Sequence, residues 1–159
     1  MIDRPHLELH EYLPYLINRV GSALVARYEQ ELRRHHLSIA MWRVLVALSD
    51  NGEQRQIDIA EMTSTDVSTM SRLVTRVVRM GLATRTRSKT NNREVIVELT
   101  PKGRMLANKL IPIARKLEQS AIAGLSGAEL AATRDSLRRM FQNISAGGAA
   151  PAGRKSKTG

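Results

Sequence analysis

The sequence predicts a mainly α-helical chain with one small β-hairpin, and three features of its 159 residues carry that expectation. Apolar residues recur at three- and four-residue spacing through most of the chain, the period of helices that bury one face. One stretch, Leu82 to Thr100, departs from this period: Val95, Val97 and Leu99 alternate with Glu94, Ile96 and Glu98, as in a strand with one buried face. A short helix, a turn and a second amphipathic helix occupy the residues just before it, from Gln56 to Gly81. Helix, turn, helix and basic hairpin in this order make a winged helix-turn-helix, here flanked by long N- and C-terminal helices.

Met1 to Tyr12 read as a polar lead-in, and Pro14 fits the first turn of a helix, where its missing amide is harmless. Leu13, Leu16, Ile17, Val20, Leu24 and Tyr28 extend an apolar stripe to about Leu32. His6 and His10 stand four apart, a spacing that can hold a metal on a helix, but neither a third ligand nor an adjacent catalytic Glu accompanies them. They read as two solvated histidines, and no metal site is expected. His35, His36 and Leu37 close this helix, and Ser38 caps the next, Ile39 to Ser49, with Trp42, Leu45, Val46 and Leu48 facing inward. Trp42 is the only tryptophan and reads as a core anchor. Asp50, Asn51 and Gly52 form a turn, and Gln56 to Met62 the short helix that follows.

The second helix of the pair begins at Ser64, Thr65 and Asp66, whose side-chain oxygens satisfy the unpaired amides of a helix N-terminus, and ends at Gly81. Val67, Met70, Leu73, Val74, Val77 and Val78 form its apolar stripe. The opposite face carries Ser68, Thr69, Arg72, Thr75, Arg76 and Arg79, and hydroxyls alternating with guanidinium groups suit both base edges and phosphate oxygens. Strands over Leu82 to Ser88 and Arg93 to Thr100 flank a tip of Lys89, Thr90, Asn91 and Asn92, and Arg85, Arg87, Lys89 and Arg93 make this hairpin basic. Such a helix can enter a major groove while the hairpin reaches a neighbouring minor groove, whose negative potential attracts arginine. The candidate DNA-binding residues are therefore Asp66, Ser68, Thr69, Arg72, Thr75 and Arg76 on the helix and Arg87, Lys89 and Arg93 on the wing.

Charge points the same way. The formal charge is +10, and Arg72 to Arg104 holds nine basic residues against two acids, Glu94 and Glu98. An excess concentrated on one contiguous element is the footprint of a polyanion binder, double-stranded DNA above all. An anionic membrane surface fits less well, because the basic window is strand-rich and polar at its tip rather than a basic amphipathic helix. Cysteine is absent, which excludes disulfides, thiol redox sensing and thiolate metal sites. No apolar run approaches the roughly 20 residues that cross a bilayer, and MIDRPHLELHEY lacks a signal peptide's pattern, so a cytoplasmic protein is expected. With no glycine-rich phosphate loop, no nucleophile motif and no clustered acids beside a histidine, neither an enzyme nor a cofactor is expected. The alternative to a specific regulator is an architectural protein that coats DNA by charge without reading sequence.

Thr100 and Pro101 start a long helix after the hairpin, with Leu106, Leu110, Ile113 and Leu117 along one seam. Pro112 should interrupt and bend it. Gly124 and Leu125 end it, and Ser126 with Glu129 forms the capping box of a final helix carrying Leu130, Leu137, Met140, Phe141 and Ile144. From Ala146 the composition shifts to Gly, Ala and Pro with three basic residues, a flexible tail. A winged helix needs only the middle of the chain, so the apolar seams of the terminal helices are candidates for a two-fold dimer interface. Residues 1–145 read as one domain, with dimerisation helices at about 8–34 and 104–145 and the winged helix at about 38–100; residues 146–159 are the tail.

The segments SIAMWRVLVAL (38–48), STMSRLVTRVVRMGLATR (68–85), NNREVIVELTPKG (91–103) and LSGAEL (125–130) fall in the order and spacing of the multiple antibiotic resistance regulators, and the chain resembles that MarR family over all but its tail. The resemblance implies a winged-helix homodimer built on the terminal helices. It also implies binding to a pseudopalindromic operator, mostly as a repressor released by small lipophilic or aromatic compounds. Family members hold the effector between the first helices, the long fifth helix and the winged domain, which here implicates Tyr15, Arg19, His36, Met41 and Trp42, with Arg19 suited to a carboxylate. The family's wing usually carries Asp-x-Arg; here Asn91 replaces the acid while Arg93 is retained. An amide supplies no charge to brace the arginine. The lack of cysteine separates the chain from the family's peroxide-sensing branch and leaves ligand binding as the expected input.

Overall fold

In a computed structural model of the chain, which describes residues 7–88, 91 and 94–147, helices start directly after the expected caps Ser38, Asp66, Thr100 and Ser126, whereas the long helix expected to reach Gly124 stops at Ala121. The element order is α1 (Leu13–Arg33), α2 (Ile39–Asn51), β1 (Gln54–Arg55), α3 (Gln56–Met62), α4 (Val67–Arg79), β2 (Ala83–Arg87), β3 (Val95–Leu99), α5 (Pro101–Ala121) and α6 (Gly127–Gly147). The chain divides into two units, Met1–Ala121 with α1 to α5 and Ile122–Gly159 with α6. Mostly helix with a three-stranded antiparallel sheet of order β1-β3-β2, this is the winged helix-turn-helix that the sequence predicts.

Ser38 accepts a hydrogen bond from the Met41 amide at 3.2 Å and so starts α2. That helix runs two residues past its expected end at Ser49. The Asn51 side chain donates to the Ala47 carbonyl at 2.9 Å, and Gly52, with φ +73°, then terminates it. Fully buried Leu32, Met41, Leu45, Leu48, Ile59, Met70, Val74, Val77, Val97 and Leu110 draw α1 to α5 and β3 into one core. Each such side chain contributes roughly 1.5 to 3 kcal/mol when removed from water. Trp42 is the core anchor expected of it, its ring 5.4 Å from that of Tyr28 in an edge-on contact. Val67 departs from the expected stripe of α4 and lies 52% exposed at the first turn.

The N-terminal half of α1 is different in kind. Leu13, Leu16, Ile17 and Val20 are exposed, whereas Tyr28 and Leu32 in the same apolar stripe are buried. The Tyr28 hydroxyl donates to the Leu110 carbonyl at 3.0 Å, tying α1 to α5, and burial with the nearby Glu31 pushes its pKa up to about 12. α5 continues through Pro112 rather than being interrupted there. In the second unit the capping box forms as expected: Ser126 donates its amide and hydroxyl to Glu129, and the Glu129 amide donates back to the Ser126 hydroxyl. Leu137, Phe141 and Ile144 along α6 are exposed. Ala146 and Gly147 belong to α6 rather than to a tail; the rest of the expected tail lies outside the described residues, as does His6.

β2 and β3 pair from Ala83↔Leu99 to Arg87↔Val95, and β1, which the sequence did not announce, pairs with β3 at Gln54↔Val97 and Arg55↔Ile96. The base of this sheet meets the start of α5. The Leu82 carbonyl accepts from the Thr100 amide, and a Cβ on Gly103 would stand 1.9 Å from that same oxygen. Glycine is required there by space, not by backbone conformation. Gly103→Ala should therefore cost about 1 to 3 kcal/mol, read as a lowered urea midpoint with an unchanged m-value; wild-type stability would mean that β2 and α5 can part freely.

Candidate DNA-binding surface and effector cavity

α4 is fixed at both ends. At its start the Asp66 carboxylate accepts from the Ser68 hydroxyl at 2.6 Å and the Thr69 amide at 2.8 Å, and these bonds, the Ser68 hydroxyl first, hold its pKa well below the usual carboxylate range. At its end Gly81, with φ +70°, turns the chain, and the Leu82 amide returns to the Val77 carbonyl. Three carbonyls beyond the helix are taken by the segment that opens α5: Met80 by the Lys102 ammonium at 3.0 Å, Gly81 by the Thr100 hydroxyl at 2.7 Å and Leu82 by the Thr100 amide. Thr100 also caps α5, accepting from the Gly103 amide.

Between these ends Arg72, Arg76 and Arg79 are exposed and, with half-buried Ser71 and Thr75, line a cleft along the outer face of α4. Of the six residues expected on this helix, Arg72, Thr75 and Arg76 line the cleft, while Asp66, Ser68 and Thr69 meet at the helix start. Asp66 and Ser68 are joined to each other in the cap, Thr69 contributes its amide there, and the Thr75 hydroxyl donates to the Ser71 carbonyl while accepting from Arg85 on β2 at 3.3 Å. Arg72 and Arg76 supply the exposed cationic reach. On the wing Arg85 and Arg87 are exposed, whereas Lys89 and Arg93 lie outside the described residues. The Asn91 amide donates to the Ser88 hydroxyl, and its carbonyl accepts from the Glu94 amide. Sequence reasoning passed over Arg55. Its guanidinium holds Asp58 through two bonds of 2.7 Å and reaches Glu94 on the returning arm of the wing at 3.2 Å.

A cavity of about 470 Å³ lies beside the end of α4. Met80, Leu82, Met105 and Leu106 give it apolar walls, Arg34, Lys102 and Lys109 line it with cations, and His35 and His36 add imidazoles. Apolar walls with a few convergent cations suit a flat apolar anion. Only His36 of the five residues expected at the effector site lines it. Met41 is fully buried in the core, Trp42 borders a separate cavity with Arg43 and Met62, and Tyr15 and Arg19 lie half-buried and exposed on the N-terminal half of α1. In this chain by itself the five do not converge. His36 carries the one readable local signal of the site that does form: with φ +56° it makes the α1–α2 turn that brings Arg34 and His35 to the rim.

The MarR family model matches residues 37–95, from the start of α2 to the returning arm of the wing. The solved structure of Bordetella bronchiseptica BpsR, whose DNA binding is regulated by 6-hydroxynicotinic acid, is 31% identical, with a TM-score of 0.73 over 81% of this chain and 98% of that one. The chain belongs to the MarR family. A MarR-family regulator from Silicibacter pomeroyi is 29% identical, with a TM-score of 0.79 over 88% of this chain and 97% of its own. The transcriptional repressor NicR of Pseudomonas putida is 26% identical over 89% of this chain and 90% of its own length. These relatives are transcriptional regulators, and the chain is a MarR-family transcriptional regulator with a winged-helix fold.

The Asp66 cap gives a test by pH. A carboxyl whose folded pKa is depressed stabilises above its unfolded value and loses that contribution as pH falls through the folded one. Asp66→Ala should lower the urea midpoint at neutral pH. The deficit should hold from pH 8 down to about pH 4 and shrink below; a deficit that stays constant to pH 2 would remove the carboxylate from the cap.

Proposed function

We propose that the protein is a homodimeric repressor that holds a pseudopalindromic operator with two copies of α4 and its wing and is released by a small aromatic or lipophilic anion. The observation that carries the reading is the cap-to-cap fixation of α4, which holds Arg72 and Arg76 outward on a helix anchored to the core and to α5. A helix so fixed presents its arginines in one geometry, as base reading requires. Ser68, Thr69 and Thr75 add short contacts where their cap and helix bonds leave acceptor capacity, and Arg87, Lys89 and Arg93 serve the wing.

Dimerisation is supported by the apolar residues that the single chain leaves in water. Leu13, Leu16, Ile17 and Val20 on α1, and Leu137, Phe141 and Ile144 on α6, are all exposed, and repeated apolar exposure along helical stripes calls for a partner surface. A second copy supplies it by two-fold symmetry, which also sets the two recognition helices on half-sites about one helical turn apart. The helices at about 8–34 and 104–145 then form the dimerisation region.

The effector reading rests on the cavity beside Met80 and Lys102. A carboxylate on its cationic rim, with a ring on Met105 and Leu106, would lie against the last turn of α4. The regulation of BpsR by 6-hydroxynicotinic acid and the name of NicR as a repressor favour a heteroaromatic acid as the first compound to test. Release follows from differential affinity: an anion that binds better to another spacing of the two α4 helices lowers operator affinity by that difference.

Fluorescence anisotropy at about 150 mM salt, with DNA from immediately upstream of the coding region beside a scrambled duplex, tests the reading. Specific binding should exceed nonspecific binding by about a thousandfold or more, and Arg76→Ala should weaken it by roughly 1 to 3 kcal/mol. Equal, strongly salt-dependent binding to both duplexes would indicate a charge-driven DNA coat instead. With the specific complex in hand, 6-hydroxynicotinic acid should displace the DNA. Lys109→Ala should raise the concentration needed by about tenfold, the equivalent of one charge-assisted hydrogen bond. An unchanged requirement would move the effector elsewhere.

A further inference from the structure

Arg55 occupies a junction. Its backbone is paired with Ile96 in β3, its residue precedes the first turn of α3, and its side chain meets acids from two elements. Both Asp58 oxygens accept from Nε and Nη2 at 2.7 Å, a fork-to-carboxylate fit that fixes the guanidinium plane. The remaining Nη1 reaches the Glu94 carboxylate at 3.2 Å. Glu94 lies where the two arms of the wing close: its carbonyl accepts from the Ser88 amide and its amide donates to the Asn91 carbonyl, each at 2.9 Å. The opposite arm has its own tie, from Arg85 on β2 to Thr75 on α4.

We propose that Arg55, oriented by Asp58, is a positioning residue for DNA binding that holds the returning arm of the wing through Glu94 and so sets the wing's angle to α3 and α4. The inference rests on the reading of the wing as a DNA contact. Each arm of the hairpin is then tied by one arginine to one helix of the helix-turn-helix, Arg85 to α4 and Arg55 to α3. A lysine cannot take the place of Arg55, because one ammonium cannot grip Asp58 with two parallel bonds and also extend a third to Glu94.

The sign of one substitution separates this role from mere surface charge. Glu94 is one of two acids among the charged residues of 72–104, so it repels a polyanion, and its removal by charge alone should tighten binding to any DNA. A brace demands the opposite on the specific site. Glu94→Gln in the full chain should weaken binding to the upstream duplex about three- to fivefold, the range open to an exposed ion pair, while the scrambled duplex is bound equally or more tightly. Arg55→Lys should weaken specific binding in the same way, with Trp42 fluorescence unchanged as the check on folding. The DNA-free readout is the rate of tryptic cleavage within residues 87–93, followed by mass spectrometry, which should rise in both variants. Equal or tighter binding of Glu94→Gln to the upstream duplex overturns the brace. If the wild type does not distinguish the duplexes, the regulator reading fails, and cleavage alone decides the brace: faster cleavage in the variants sustains it and an unchanged rate overturns it.

Discussion

The structure depends on how the chain leaves α4. After α4 the carbonyls of Met80, Gly81 and Leu82 are taken by Thr100 and Lys102, eighteen or more residues further on. These carbonyls lie in the turn past the helix and, like any backbone acceptor, need donors. Here the donors come from the start of α5, so one set of bonds closes the base of the wing, ties down the turn after α4 and begins the long helix. Gly103 makes the closure possible by letting the α5 backbone lie against the Leu82 carbonyl. The wing is therefore an excursion between two pinned ends.

Under the proposed function, this arrangement leaves no long pathway between the cavity beside Met80 and the exposed face of α4. Met80 ends α4, gives its carbonyl to Lys102 and lines the cavity; Lys102 lines the cavity too. On that proposal, an anion drawing the Lys102 ammonium toward itself would compete directly with the Met80 carbonyl at the end of α4. Coupling through one shared cation requires only that the two acceptors cannot both hold it at full strength, and the differential binding that allostery demands then has a physical origin.

Much of the winged helix was legible because its boundaries are set by local chemistry. Asp66, Gly81, Ser38, Thr100 and the pair Ser126 and Glu129 all act at helix ends as their residue types predict, and the alternation of Val95, Val97 and Leu99 marked β3. What escaped was what depends on tertiary pairing. β1 is two polar residues, Gln54 and Arg55, that become a strand only because Val97 and Ile96 pair with them. The reach of Arg55 across 39 positions to Glu94 has no local signal, although an Arg three residues before an Asp at a helix start hinted at half of it. The effector residues scattered for a related reason. Apolar periodicity tells that Met41 and Trp42 face inward, but a core position and a pocket wall share that period. The turn at His36 could be placed more closely, since its place between two capped helices is local.

The polar face of α4 carries the sharper lesson about composition. Hydroxyls and arginines alternate there, and in sequence all of them suit DNA equally. In the structure Ser68 is joined to Asp66 and Thr75 to Ser71 and Arg85, so hydroxyl donors that a base or phosphate would use are already engaged in holding the helix and the wing. The arginines are left as the long, exposed groups. Under the proposed function, affinity depends on the guanidinium groups, while specificity depends on how firmly the Asp66 cap fixes the helix that carries them. On that reading the Asp66 cap and the arginine ties to the wing matter for specificity as much as any residue touching DNA, because a base contact discriminates only if its donor cannot follow a wrong base.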